Sequence, residues 1–178
     1  GLVYLAMGHY DAAAEALQAS LELRQRIDDE RGVAYSFHGL GRLALAREEG
    51  ADPQAARRYF EQAYEIDTRL DLGAEALTDL SFLARGELAM GEAERALETS
   101  RRALKQLTDL GDIPEVQRVY WNHYLVLKSL DHPEADEFLR RAYAAVMEQA
   151  DRIGDDALRR TFLESVRVNR HICEALEV

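Results

Sequence analysis

Four segments of this chain carry the same spacing of small and large apolar residues. Gly8–Leu21 (GHYDAAAEALQASL) aligns without a gap on Gly91–Leu104 (GEAERALETSRRAL), placing Gly8 on Gly91, Ala13 on Ala96 and Leu21 on Leu104. The segment DPQAARRYFEQAY puts Ala56, Phe60, Ala63 and Tyr64 in that frame, and DHPEADEFLRRAY puts Ala135, Leu139, Ala142 and Tyr143 there. Ser20, Ala63, Ala103 and Ala142 mark one position, so the steps are 43, 40 and 39 residues. A shared phase at such a period means an array of small units, each unable to bury its apolar face alone and therefore stacked on its neighbours.

Each segment is preceded by a second pattern with apolar residues three and four apart, the mark of an amphipathic helix. GVAYSFHGLGRLALAREE, AEALTDLSFLARGELAM and PEVQRVYWNHYLVLKSL show it. The breaks IDDERG, LDLG, LGDIP and IGDD carry the Gly, Asp and Pro that end one helix and start another. The unit is helix–turn–helix–turn. Gly8, Ala13 and Ser20 are expected where paired helices approach closely, with Leu17, Phe60 and Leu139 filling the space toward the next pair. Asp28–Asp29 and Asp155–Asp156 stand at helix starts and are expected to cap them.

These residues resemble a tetratricopeptide repeat. Leu40–Gly41 matches the Leu-Gly pair of that family's first helix, and Gly8, Ala13, Ser20 with Gly91, Ala96, Ala103 match its second helix. The steps exceed the usual period of about 34 residues. Long repeats with LGD-type linkers are similar to those of bacterial signal-transduction NTPases and of maltose-regulator or LuxR-type transcription activators. The resemblance implies an all-α, right-handed α-solenoid of about four antiparallel helix pairs with C-terminal capping helices. The expected layout is repeats over 1–153 (about 1–30, 31–70, 71–111 and 112–153), then a cap over 154–178, with Phe162, Leu163, Val166 and Ile172 in a closing helix followed by a short one. Three departures stand out. The turn REEGADPQ is about three residues long in excess, Leu130 replaces a usual Gly, and His123 replaces a usual small residue. Leu2, Tyr4 and Leu5 match the last turns of a first helix, so the repeat is expected to continue upstream of Gly1.

Chemistry-bearing motifs are lacking. No Gly-rich phosphate loop, HExxH helix or GxSxG turn occurs. The only cysteine, Cys173, stands two residues from His171, on a different helix face, without further ligands nearby. No catalysis, cofactor or metal is expected. The net charge of −11 argues against a nucleic-acid surface, which needs a basic face. No apolar run approaches the roughly 18 residues of a membrane span, and a cytoplasmic location is expected. The charge runs Glu48–Glu49 and Arg57–Arg58 read as solvated helix faces, with Arg58 pairing Glu61 or Gln62.

The resemblance places the first helix of each pair along a concave groove. By phase its inner positions are Tyr35, His38, Arg42 and Leu45, then Thr78, Ser81, Arg85 and Leu88, then Gln117, Tyr120, Tyr124 and Lys128. Arg42, Arg85 and Tyr124 are equivalent, one per repeat. Two arginines on one face of an acidic chain form a positive spot able to grip a carboxylate with paired hydrogen bonds. Tyrosines add flat contact area with a polar tip. One reading is a groove for a protein or peptide partner, a chain terminus or a small anion. The other is that both arginines pair with acids of adjacent helices, such as Glu87 or Asp79. Trp121, between Tyr120 and Asn122, reads as packing.

The function expected is protein–protein or ligand recognition, as the C-terminal sensor or scaffold part of a larger signalling NTPase or transcription regulator. A free-standing adaptor or co-chaperone, a peptide-sensing regulator, and a structural homo-oligomer joined through Leu2, Tyr4 and Leu5 are the alternatives.

Overall fold

The computed structural model describes residues 1–47, 50–111 and 113–176; the long turn's Glu48–Glu49 lies outside them. Among the described residues the regular structure is helical throughout. The helices are α1 (Leu2–Ala6), α2 (Tyr10–Arg26), α3 (Glu30–Ala46), α4 (Pro53–Arg69), α5 (Gly73–Ala89), α6 (Ala93–Leu110), α7 (Val116–Ser129), α8 (Ala135–Asp151), α9 (Asp156–Glu164) and α10 (Arg167–Leu176). They form two compact units, Gly1–Gly111 and Asp112–Val178.

Five of the turns between consecutive helices are the same turn. A residue with positive φ stands two positions after the last residue of the helix: Gly8, Asp28, Asp71, Gly91 and Asp131. In each, its N–H donates to the carbonyl three residues back, and the next N–H donates to the carbonyl five residues back. Gly8 N to Leu5 O and His9 N to Tyr4 O show it, as do Asp71 N to Thr68 O and Leu72 N to Asp67 O. This Schellman closure satisfies the orphan carbonyls at a helix end and requires a left-handed residue. Glycine adopts that conformation freely, and aspartate tolerates it through its short polar side chain. Gly8 and Gly91 are thus held by their backbone angle. A Cβ on either meets nothing within 4 Å, so the expectation that Gly8 marks a close helix approach is corrected. In the fourth repeat the left-handed residue is Asp131, one position beyond Leu130, which explains how that repeat does without the usual Gly.

Starts are as well marked as stops. Asp29, Asp52 and Asp155 accept from the backbone N–H of Gly32, Ala55 and Leu158, the caps of α3, α4 and α9. Pro53 occupies the first turn of α4, where its missing N–H costs nothing. Asp28 sits instead in the turn, and Asp156 lies in the first turn of α9 beside the helix dipole.

The first unit stacks three helix pairs in chain order, α1 with α2, α3 with α4, and α5 with α6, and α2 and α4 also pack on α3 and α5. The first helices form their own layer, α1 touching α3 and α3 touching α5. The small residues Ala13, Ala56, Ala63, Ala96 and Ala103 are fully or almost fully buried, and Leu17 and Phe60 fill the space between helices. A close approach between helices lies at Gly41 of α3. A Cβ there would stand 2.7–2.9 Å from three atoms of the Phe60 ring of α4. Phe60 then stacks on Phe82 of α5 with centroids 5.5 Å apart, and both meet the His38 ring edge-on at 5.7 and 5.1 Å.

The second unit pairs α7 with α8 and packs α10 on both. Trp121, Val126, Leu127, Leu139, Val146 and Ile172 form its interior. His123 is buried with its ring edge-on to Phe138 at 4.4 Å, so the departure from a small residue is accommodated by an aromatic contact. The tail breaks at Ser165, leaving Val166 between two helices of similar length rather than inside one closing helix. Buried Asn169 explains the break, since its Nδ2 donates to the Phe162 carbonyl at the end of α9. Burial falls mainly on α10 through Ile172, whereas α9 holds no fully buried residue.

Two glycines therefore respond differently to the same change. Gly91→Ala is expected to cost about 1 kcal/mol from the left-handed backbone alone. Gly41→Ala is expected to cost about 1–3 kcal/mol, because a rigid ring blocks the new methyl despite alanine's better helix propensity. Phe60→Ala is expected to cost roughly 3–5 kcal/mol. Urea unfolding of the three variants checks the order Phe60→Ala, Gly41→Ala, Gly91→Ala.

Candidate partner-binding face

In the first unit the candidate residues lie on α3 and α5, which touch. Tyr35 is 54% exposed, with the Arg24 guanidinium 5.4 Å from its ring centroid. Arg42 is half-buried, and its guanidinium lies 5.6 Å from the Phe82 ring centroid. Arg85, Leu45, Leu88 and Thr78 are also half-buried. Thr78 turns its hydroxyl to the Ala74 carbonyl at 2.8 Å. Ser81 is buried, and Arg42, Ser81 and Arg85 each already have an interaction partner.

Glu87 and Asp79, the acids named for those arginines, each make a contact with another side chain. Glu87, 1% exposed, meets Arg95 Nε of α6 at 2.8 Å. Asp79, also 1% exposed, meets His38 Nδ1 at 2.6 Å. The charged pair in the Arg57–Arg58 run is Arg57 with Glu61, at 2.8 Å.

His38 leads to a group of residues the sequence reading did not assemble. Asp67 near the end of α4 is buried and shares a hydrogen bond with Asp79 of α5. Burial pushes the Asp67 carboxyl up to about 7, helped by the charge and hydrogen bond of Asp79, while His38 pulls it down. Burial likewise pushes Asp79 up to about 8, with the Asp67 hydrogen bond opposing it. Two adjacent buried carboxyls cannot both ionise cheaply, so the pair keeps at least one proton until about pH 7 to 8. Asp79 Oδ2 meets no conventional donor, and a proton on Asp67 supplies one.

The repeat explains why these two residues meet. Asp67 precedes the left-handed Asp71 by four positions and Asp79 follows it by eight; Arg24 and Ser36 stand at the same offsets from Asp28. At that earlier joint the Arg24 guanidinium donates to Ser36 Oγ at 2.8 Å and to the Gly32 carbonyl at 2.9 Å. The signal was present in the sequence: a 43-residue step lays Asp67 on Arg24, and Asp79 is an acid on the buried side of α5.

In the second unit, Gln117 is buried, its amide oxygen accepting from Gln149 Nε2 at 2.8 Å. Tyr124 is buried with its ring 5.1 Å from Trp121, and Lys128 Nζ lies 5.5 Å from the Tyr124 ring centroid. Tyr120 is half-buried against Phe138, and Lys128 is exposed. The accessible members of the candidate set are thus Tyr35 and Lys128, with His38, Arg42, Thr78, Arg85 and Tyr120 partly so.

Among the described residues no helix is long and apolar enough to cross a membrane, and no group of three His, Cys, Asp or Glu could hold a metal ion. A family model described as tetratricopeptide repeat matches residues 1–69, the stretch that holds α1 to α4. No curated protein matches the chain. That repeat fold supports protein–protein interaction in general. Residues 1–69 are thus similar to a tetratricopeptide repeat, and helical pairs continue beyond the matched segment.

Proposed function

We propose that the α3–α5 face of the first unit docks an extended, carboxylate-bearing segment of a partner protein. The supporting observation is that Arg42 and Arg85 stand at equivalent positions, 43 residues apart, on two helices that touch. A guanidinium presents two parallel donors to a carboxylate, and one per repeat suits a ligand running along the stack. Tyr35, exposed at the start of α3, adds a flat amphipathic surface. The overall charge of −11 repels acidic partners at long range, so recognition rests on this local spot and on shape.

In this reading the module is a non-catalytic recognition arm. The long repeat step and LGD-type linkers support its use as a sensor or scaffold within a larger signalling NTPase or transcription regulator. A bound partner would act there by favouring one of two states of an attached switch.

An array of acidic extended peptides, each with a free or an amidated C-terminus, tests the face. The protein is expected to retain a subset of them, and Arg42→Ala with Arg85→Ala is expected to weaken the retained peptides about tenfold or more while leaving the circular dichroism melt unchanged. Equal retention by the double variant would remove these arginines from the site.

A further inference from the structure

We propose that Asp67, Asp79 and His38 make the α4–α5 joint a proton-operated latch: closed while the acid pair holds one proton between its carboxyls, and opening as that proton leaves. The geometry carries this inference. Asp79 is 1% exposed and Asp67 is 5% exposed, on two helices that pack together. The His38 ring occupies one Asp79 oxygen at 2.6 Å, and the other oxygen is buried without a conventional donor. A proton on the neighbouring carboxyl fills that place. The equivalent joint between α2 and α3, closed by Arg24 on Ser36, needs no such proton.

Of the surrounding charges, His38 lowers the Asp67 carboxyl while Glu75 raises both. From α3 the facing titratable group is His38, already committed to Asp79. From α5, Glu75 adds negative charge and is itself held by Arg31 of α3 at 2.7 Å. Arg69 at the end of α4 is paired with Glu30 of α3. Arg42 and Arg85 stand farther along the sequences of α3 and α5. Opening the joint hydrates both carboxyls and lets them ionise at their ordinary values, so opening releases a proton.

The sign follows from linkage. Both carboxyls sit above their unfolded value, so their stabilising effect is complete below about pH 4. It is lost as pH rises, until the closed form also ionises, at about 7 to 8. Between pH 5 and 7 the opening equilibrium is expected to grow about tenfold per pH unit for each proton released.

The test is hydrogen exchange of the full chain between pH 5 and 9, corrected for intrinsic exchange. Protection of α4 and α5 amides is expected to fall by that factor and level off above pH 8, while α7 to α10 stay flat. Asp67→Asn, whose amide donates at every pH, is expected to remove the slope. An unchanged slope in Asp67→Asn, or a flat wild type, would overturn the latch. Should Asp67→Asn fail to fold, carbon-13 carboxyl titration of the wild type decides. Coupled steps above pH 6 at Asp67 and Asp79 support the latch, and titration of both below pH 5 overturns it.

Discussion

The packing of the first unit depends on the approach of the Phe60 ring to the bare backbone of Gly41. Removing a side chain from α3 there lets α4 settle against it, and the ring fills the gap. That contact places Phe60 against His38 and Phe82, so one ring joins three consecutive helices. His38, fixed between two aromatic rings, is thereby aimed at Asp79 of α5. The polar cluster at the joint is thus a consequence of an apolar contact, since a histidine free to rotate would not hold a hydrogen bond to a buried carboxylate.

The phase of Ala13, Ala56 and Ala96 was legible from the sequence because a repeat array repeats its burial, and all three are fully buried. Helix starts were legible for the same local reason, since Asp29 and Asp155 sit where a capping acid must be. The role of Gly8 was not legible, because a left-handed turn and a close approach both select glycine. Only Asp28, Asp71 and Asp131 at the same place in other turns separate the two causes. Site residues were read less well. Phase assigns a helix face but not the depth of the neighbouring helix, so Gln117 and Tyr124 fall in the interior while Tyr35, on the same nominal stripe, stays in water.

Repeat proteins are close to one-dimensional, their stability being a sum of units and nearest-neighbour contacts. Such an array is only as continuous as its least stable interface. Here equivalent interfaces differ in chemistry. The α2–α3 joint joins a permanent cation to a hydroxyl and a carbonyl, a contact indifferent to pH below the arginine range. The α4–α5 joint sets two acids against each other, and its strength varies with a single proton.

A buried ionic contact is weak evidence of stability, because desolvation offsets most of the attraction. The acid pair is weaker still, since two apolar residues of similar size would hold α4 and α5 together at any pH. What the pair adds is conditionality. The ion pairs Glu30–Arg69 and Arg31–Glu75 tie the same three helices together at the surface, where each contributes at most about 1 kcal/mol. In the proposed latch, cooperativity along the first unit passes through the proton between Asp67 and Asp79.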